Sequence, residues 1–420
     1  MKARLLLFVA AMQCAVAAGA QTVGIEECFE RAEAHYPLAK QRGLAEQEAR
    51  VEAENIAKTL LPQAVLNLRA SYQSDVVSVP LDLPGLPKIS KDQYKATLDL
   101  TQTLWDGGVA KALTRIATLE GEIESLGIDV ELYRLRDRIA GLYLGVLLLD
   151  EQVGQTDLLT ANLETSLKTA EAMQANGVAA LSDIDVLKVE ILNARQKKIE
   201  TEGTRDAYLS MLSAAVGVAL SVAMLRKPAP AVPNESETPK ADRRPETVLF
   251  ARQTAMLDAR EKLTDAKNTP KFNLFVQGGY GKPGLNMLAD KFDFFALGGV
   301  GITWNFGGLY TRANEKRIIG IGREKIRNRA ETLEFDINRQ AAGVLREMSS
   351  YAGMLEGDRE IILLREKVRQ AAERKYNNGV YTVNELVKDI NAENLARLTL
   401  AVHETMYLMK LYTYKILMNV

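Results

Sequence analysis

The chain writes one unusual transition twice. "TLWDGGVAKALTR" (103–115) and "TWNFGGLYTRANE" (303–315) each place an aromatic residue, a capping residue and Gly-Gly ahead of a charged helix start. Ahead of both, the sequence alternates. Tyr94, Ala96, Leu98 and Leu100 fall on one side, and Lys95, Thr97, Asp99 and Thr101 on the other. In the second copy Phe292, Phe294, Ala296, Gly298, Val300, Ile302 and Trp304 share a side, while Phe295 and Leu297 intrude on the polar one. A period of two marks a strand with one wet face. After both Gly-Gly pairs the period changes. Ile116, Leu119, Ile123, Leu126, Val130 and Tyr133 form a heptad stripe, and Ile319, Ile326 and Leu333 recur at sevens, the pattern of helices that supercoil with neighbours. The fold must therefore run a half-polar strand into a long coiled-coil helix, and do so twice.

Each strand has an alternating partner upstream, "LPQAVLNLRASY" (61–72) and "TPKFNLFVQGGY" (269–280). Pro62 and Pro270 stand at their starts, where proline ends a helix or opens a strand. The Gly- and Pro-rich stretches "PLDLPGLPKIS" and "GKPGLNMLAD" join the pairs into β-hairpins over 62–105 and 270–305. Long helical hairpins are expected over 108–225 and 308–420, their first arms (108–175 and 308–376) roughly 100 Å long at 1.5 Å per residue. The arms break at "QANGVAALSDIDVLKVE" (174–190) and "YNNGVYTVNELVKDINAE" (376–393), which align Gly177 with Gly379 and Asp183 with Glu385. Gly after Asn stops a helix, and Ser182 or Thr382 is placed to restart one. The proline-rich, charged stretch 226–246 reads as a linker between a first repeat, 21–225, and a second, 247–420. Such an order is a tandem duplication of one large unit rather than a short-period solenoid.

Residues 1–20 stand apart. Lys2 and Arg4, the apolar run from Leu5 to Ala11, and Ala18-Gly19-Ala20 read as an export signal peptide. Cys14 lies inside it, so the mature chain keeps only Cys28, which excludes an intrachain disulfide and suits a small buried residue. With 25% charged residues and a formal net charge of −1, the chain is no polytopic helical membrane protein and offers no broad electrostatic surface for nucleic acid. No apolar run after residue 20 is long enough for a spanning helix. An exported chain of this kind is either soluble or enters an outer membrane as strands.

Four strands are too few to close a barrel, and lipid does not tolerate an open sheet edge. Strands of about ten residues match a tilted membrane span, and Tyr72, Tyr94, Tyr280 and Trp304 fall near strand ends, where interfacial aromatic girdles sit. Three chains would supply twelve strands and a pore; two would supply eight, generally plugged by side chains.

Taken together, "IEECFERAEAHYPLAKQ" (25–41), the "LP…Y" strand start, both Gly-Gly turns and both "NGV" tips with an acid six positions on resemble the TolC-like outer-membrane efflux proteins. The resemblance covers nearly the whole mature chain. It implies a mixed α/β, mostly α membrane protein in the bacterial outer membrane: a homotrimer whose twelve-stranded β-barrel, four strands per chain, continues into a periplasmic α-helical coiled-coil barrel. The implied partners are outer-membrane lipid, a periplasmic adaptor and an inner-membrane transporter, with no nucleic acid. The implied function is a passive exit duct of a tripartite efflux or type I secretion system. A periplasmic adaptor or non-pore coiled-coil scaffold is the alternative; it needs neither the strand pairs nor the duplication.

No enzyme is legible. His35 and His403 lack metal-ligand spacing. "GYGKPG" (279–284) departs from a phosphate loop, and "GGVGITW" lacks the third glycine of a dinucleotide turn. No catalytic residue, cofactor or metal is expected. By resemblance, the second tip forms a periplasmic aperture, with Tyr376 as its tyrosine and Glu385 as its first acidic ring residue. Asp183 is the first-tip counterpart. Lys388 stands where a second acid is common, with Asp389 following, and Tyr381 stands where a basic latch residue can occur. A ring of Glu385 would favour cations; the plainer reading is an acid stabilised at a helix N-terminus. Gly177, Val178, Gly379 and Val380 match the tips that meet an adaptor, or simply terminate helices. Asp106, Gly107 and Gly108, with Asn305, Gly307 and Gly308, read as the strand-to-helix joints, the glycines turning the backbone and Asp106 or Asn305 capping it.

Overall fold

The computed structural model describes residues 22–77, 89–230 and 244–419. The expected export signal with Cys14, most of the loop "PLDLPGLPKIS" and most of the linker 226–246 lie outside the described residues. Helices α1 (Ile25–His35) and α2 (Ala39–Lys58) lead into strands β1 (Gln63–Tyr72) and β2 (Asp92–Trp105), then helices α3 (Val109–Ala175) and α4 (Leu181–Val216). The second half opens with a single helix, α5 (Pro245–Lys267), followed by β3 (Lys271–Lys282), β4 (Asp293–Thr303), α6 (Gly308–Asn377) and α7 (Val383–Met418). The break between α1 and α2 follows from Pro37: Tyr36 before it is extended, at φ −61° and ψ 130°, because the proline ring disfavours helical backbone at that position.

The four strands form one antiparallel sheet in the order β1-β2-β3-β4. Leu66 faces Leu98, Leu100 faces Val276, and Val276 faces Gly298. The two hairpins therefore join through β2 and β3, and β1 and β4 are its edges. A bulge between Thr103 and Trp105 interrupts the β2–β3 register next to the first helix joint, a position where bulges commonly redirect a strand.

The chain divides into two compact units, each drawn from both halves. One, residues 41–127 and 246–331, contains the sheet. Its helical part is held by Ile116, Leu119, Met256 and Ala259. α2 and α3 pack so closely that a Cβ on Gly121 would lie 2.5 Å from the Cβ of Ala49. Arg323 bridges Asp258 and Glu261 at 2.7 and 2.6 Å, and Asp265 takes Arg312 and Lys316 at 2.7 and 2.9 Å. Partly exposed pairs of this kind add little stability.

The other unit, residues 1–40, 128–245 and 332–420, is cored by Cys28, Ala32, Tyr143, Leu144, Leu212 and Leu411, among others. The Tyr143 hydroxyl lies 2.8 Å from the carbonyls of both Val23 and Arg226. Burial pushes that phenol up to about 12 and the free thiol of Cys28 up to about 11, so both stay protonated at neutral pH. The sequence suggests that the helix after the first tip reaches about Leu225; it stops at Val216. Gly217 turns left-handed there, at φ 75°, and the His35 ring packs so close that a Cβ would lie 2.5 Å from its Nδ1. A side chain at this position would be both strained and obstructed.

Candidate functional site

Both helical hairpins turn with the same chemistry. At the first tip the N–H of Gly177 donates to the Gln174 carbonyl and that of Val178 to the Met173 carbonyl, each at 2.9 Å. At the second, Gly379 and Val380 donate to Tyr376 and Lys375, again at 2.9 Å. This paired helix stop needs a left-handed residue as pivot, and Gly177 and Gly379 have φ of 75° and 72°. Val178 and Val380 project from the two tips, 64% and 74% exposed.

The restarts differ. Thr382 caps α7 in a reciprocal box: Glu385 N–H donates to Thr382 Oγ1 at 3.3 Å, and Glu385 Oε2 accepts from the Thr382 N–H at 2.8 Å and its hydroxyl at 2.9 Å. At the first tip Ser182 lies within α4 and does not cap; Ala180 precedes the helix, and only Asp183 Oδ2 reaches back, to the Ala180 N–H at 3.3 Å. The Thr382 donors hold the Glu385 carboxyl below its ordinary value. A lowered folded value adds stability above the unfolded value, about 4.3, and that stability is lost as pH falls through the folded value. Thr382→Ala is expected to cost the α7 terminus about 1 kcal/mol, read as faster amide exchange over 383–386. In wild type, acidification below pH 4 should produce the same fraying; unchanged protection on acidification would contradict the box.

Tyr376 packs inward, between the two helical hairpins. It is 4% exposed, in a cluster with Leu163, Ala170, Leu187, Leu386 and Ile390 that ties the two hairpins together. Its hydroxyl finds no hydrogen-bond partner among the described residues. Burial, and secondarily the charge of Asp183, push the phenol up. Tyr381 is half-buried against the same cluster, with Lys375 Nζ 5.0 Å from its ring centroid. Glu385 and Lys388 are exposed, whereas Asp389 and Asp183 are half-buried.

Further along the second hairpin lies a cluster that sequence reasoning missed. Glu393 is 4% exposed and accepts from Arg369 Nε at 2.5 Å and from Arg397 Nη2 at 2.8 Å; Arg369 also pairs with Glu373. Acids on heptad helices read as solvated faces, so only the four-residue spacings Arg369–Glu373 and Glu393–Arg397 hint at it.

The two strand-to-helix joints are less alike than their letters. Asp106 caps α3, accepting from the Gly108 N–H at 2.8 Å and the Ala110 N–H at 2.5 Å, and Gly107 and Gly108 are left-handed at φ 78° and 89°. At the second joint Asn305 Oδ1 accepts only from the Gly307 N–H, at 2.9 Å. Gly307 and Gly308 are not left-handed. Gly308 is instead held to hydrogen by proximity, since a Cβ would lie 2.5 Å from Asn268 Oδ1.

Residues 30–218 match the outer membrane efflux protein family, and the fold of nearly the whole chain is shared with solved outer-membrane channels. VceC of Vibrio cholerae aligns at 15% identity and a TM-score of 0.65, over 94% of this chain and 95% of that one. A membrane protein from Pseudomonas aeruginosa aligns at 15% and 0.67, over 94% and 93%. The open-state MtrE outer membrane channel of Neisseria gonorrhoeae aligns at 13% and 0.64, over 94% and 88%. No curated protein matches.

The sheet suits an outer membrane. One face is apolar and bare, with Leu66, Leu68, Leu98, Val300, Ile302 and Phe294 exposed, Phe294 to 82%. Aromatic contacts bracket it. Tyr280 stacks with Phe292 at 5.5 Å and meets Phe294 at 4.5 Å toward one end, and Trp105 meets Phe272 at 5.6 Å toward the other. From Phe272 to Tyr280 is about 27 Å along the strand, or about 20 Å in height at a barrel-like tilt, close to the apolar band of an outer-membrane barrel. The opposite face is polar: Asp99 accepts from Asn67 at 2.7 Å, from Thr97 at 3.1 Å and from Gln277.

Proposed function

We propose that this chain is an outer-membrane efflux channel, the exit duct of a tripartite efflux or type I secretion system, and that three copies close a twelve-stranded barrel. The observation that carries the reading is the sheet itself: four strands, two unpaired edges, and an apolar face between aromatic bands. Lipid leaves such edges no partner but another copy, and three copies give a barrel wide enough for a lumen. The duct is passive, with energy supplied by an inner-membrane transporter. A periplasmic adaptor meets the tips at Gly177, Val178, Gly379 and Val380, where small residues admit helix ends closely and the two valines offer apolar contact.

Opening is a packing change between the helical hairpins. Three copies of Glu385, with Asp389 nearby, line the periplasmic aperture, and Lys388 moderates their charge. Purified protein is expected to run as a trimer from outer-membrane fractions and to conduct in planar bilayers, and Glu385→Ala should lower cation preference and weaken cation block. Unchanged conductance and block in that variant would remove Glu385 from the aperture. The docking claim has its own test. Cys28 is buried, so Val178→Cys or Val380→Cys supplies the reactive thiol, and crosslinking to the adaptor should depend on it.

A further inference from the structure

The polar face of the sheet carries an arrangement that neither the strand pattern nor the helical tips explain. Arg69 on β1 and Lys95 on β2 are direct cross-strand partners. Like charges so placed are destabilising, and neither side chain makes an ion pair among the described residues. Lys95 instead holds its ammonium 4.8 Å from the ring centroid of Phe295.

The neighbouring charges are already engaged. Lys282 lies 3.6 Å from Asp290 and 3.8 Å from Asp92. Asp293 lies 3.4 Å from Lys291 and accepts from the Phe294 N–H at 3.0 Å. Asp99, about 13 Å further along β2 at 3.3 Å per residue, is satisfied by Asn67, Thr97 and Gln277. Lys95 reaches Asp99 only through its charge, and among the described residues neither cation has an acid within ion-pair distance.

The space beside them has a shape. Arg69 and Lys95 border a cavity of about 360 Å³, with Ser71, Gln73 and Gln93 also on its wall, within the size range of small-ligand sites. Phe295, one of the two apolar residues that break the strand alternation, lies under Lys95 rather than in the cavity lining. Its ring occupies the place where a Cβ on Gly279 would stand, 2.3 Å from Cζ. The glycine lets the ring recline along the sheet, with the Lys95 ammonium over its outer face.

We propose that Arg69 and Lys95 form an anion-contact site on the pore wall, taking the carboxylate of a small organic acid, with the Phe295 ring seating the Lys95 ammonium. A guanidinium offers a carboxylate two parallel donors and the ammonium adds a point charge. The site rests on the reading that three copies close a pore lined by this face, which sets six cations at one level. It selects anions at the membrane end of a duct whose helical tips carry acids.

Planar-bilayer recording on the purified full chain tests the site, with wild type compared with Arg69→Gln/Lys95→Gln. The double variant removes a repulsion, so it is expected to fold and insert. Under a KCl gradient its chloride-to-potassium permeability ratio should fall about threefold or more, as expected when a charged ring is taken from a pore. Sodium benzoate should block wild-type current, and the half-blocking concentration should rise about tenfold in the double variant, as both charged donors are lost. Arg69→Lys, which keeps the charge, should retain the wild-type permeability ratio. Channels of wild-type conductance with unchanged ratio and unchanged benzoate block would overturn the site while leaving the duct intact. A wild-type protein that forms no channels would overturn the duct, and the site with it.

Discussion

Glu393→Ala is expected to loosen the second helical hairpin by about 3 kcal/mol, the lower end of the cost of leaving a buried charge unpaired. The carboxylate is 4% exposed and is shared by Arg369 and Arg397. Arg369, its side chain 15% exposed, keeps Glu373 as a second partner, which is why the low end applies. A loss of that size is about two decades in an equilibrium constant, so amide exchange over residues 366–397 should quicken about a hundredfold. Removing the charges together should cost far less, because paired buried ions are often replaceable by packed apolar side chains. Glu393→Leu combined with Arg369→Met is therefore expected to recover most of the protection. Wild-type exchange in Glu393→Ala would mean that the cluster is ornamental.

Gly107→Ala is expected to be the most damaging single methyl at either joint. A non-glycine residue at φ 78° carries a left-handed strain of about 1–2 kcal/mol. The added Cβ would also lie 1.8 Å from Thr269 Oγ1 and 2.9 Å from the backbone oxygen of Ala266. A hydroxyl can rotate away; a carbonyl in the helix wall cannot, so overpacking adds about 1–3 kcal/mol. Thr269→Ala in the same chain should restore only part of the loss. Gly308→Ala, without the left-handed strain and against the flexible end of Asn268, should cost much less. Guanidinium unfolding midpoints of the purified variants give the ordering, and equal losses at 107 and 308 would defeat it.

Periodicity made the elements legible. Alternation and heptads are local, so the stretches read as strands and long helices fold as β1–β4, α3 and α6, and the Asn-Gly stops turn as both tips. What was hidden depends on partners distant in sequence. The end of α4 at Val216 needs His35 from the other end of its repeat. Whether Tyr376 faces solvent or lies between hairpins depends on Leu163 and Leu187. Ser182 and Thr382 both look placed to restart a helix, but with Gly177 set against Gly379 it is Ala180 that aligns with Thr382, and Ser182 falls inside α4. The two Gly-Gly pairs look equivalent as letters, but Thr269 crowds one and Asn268 the other, and only the first demands positive φ. Asp99 reads as one more polar residue on a wet face until Asn67 and Gln277 are brought to it.

The central pairing of β2 with β3 also sets an order of events. Asp99 and its sheet neighbour Gln277 are 178 residues apart, so β2 waits for most of the remaining chain before its second partner exists. At ribosomal rates that gap is roughly 10–35 s, long beside the microseconds in which a hairpin forms. During it the first two strands, too few to hold a sheet in water, offer their apolar residues to whatever they meet. A holding chaperone is needed most in that interval, and chains stopped between β2 and β3 should be its most avid clients.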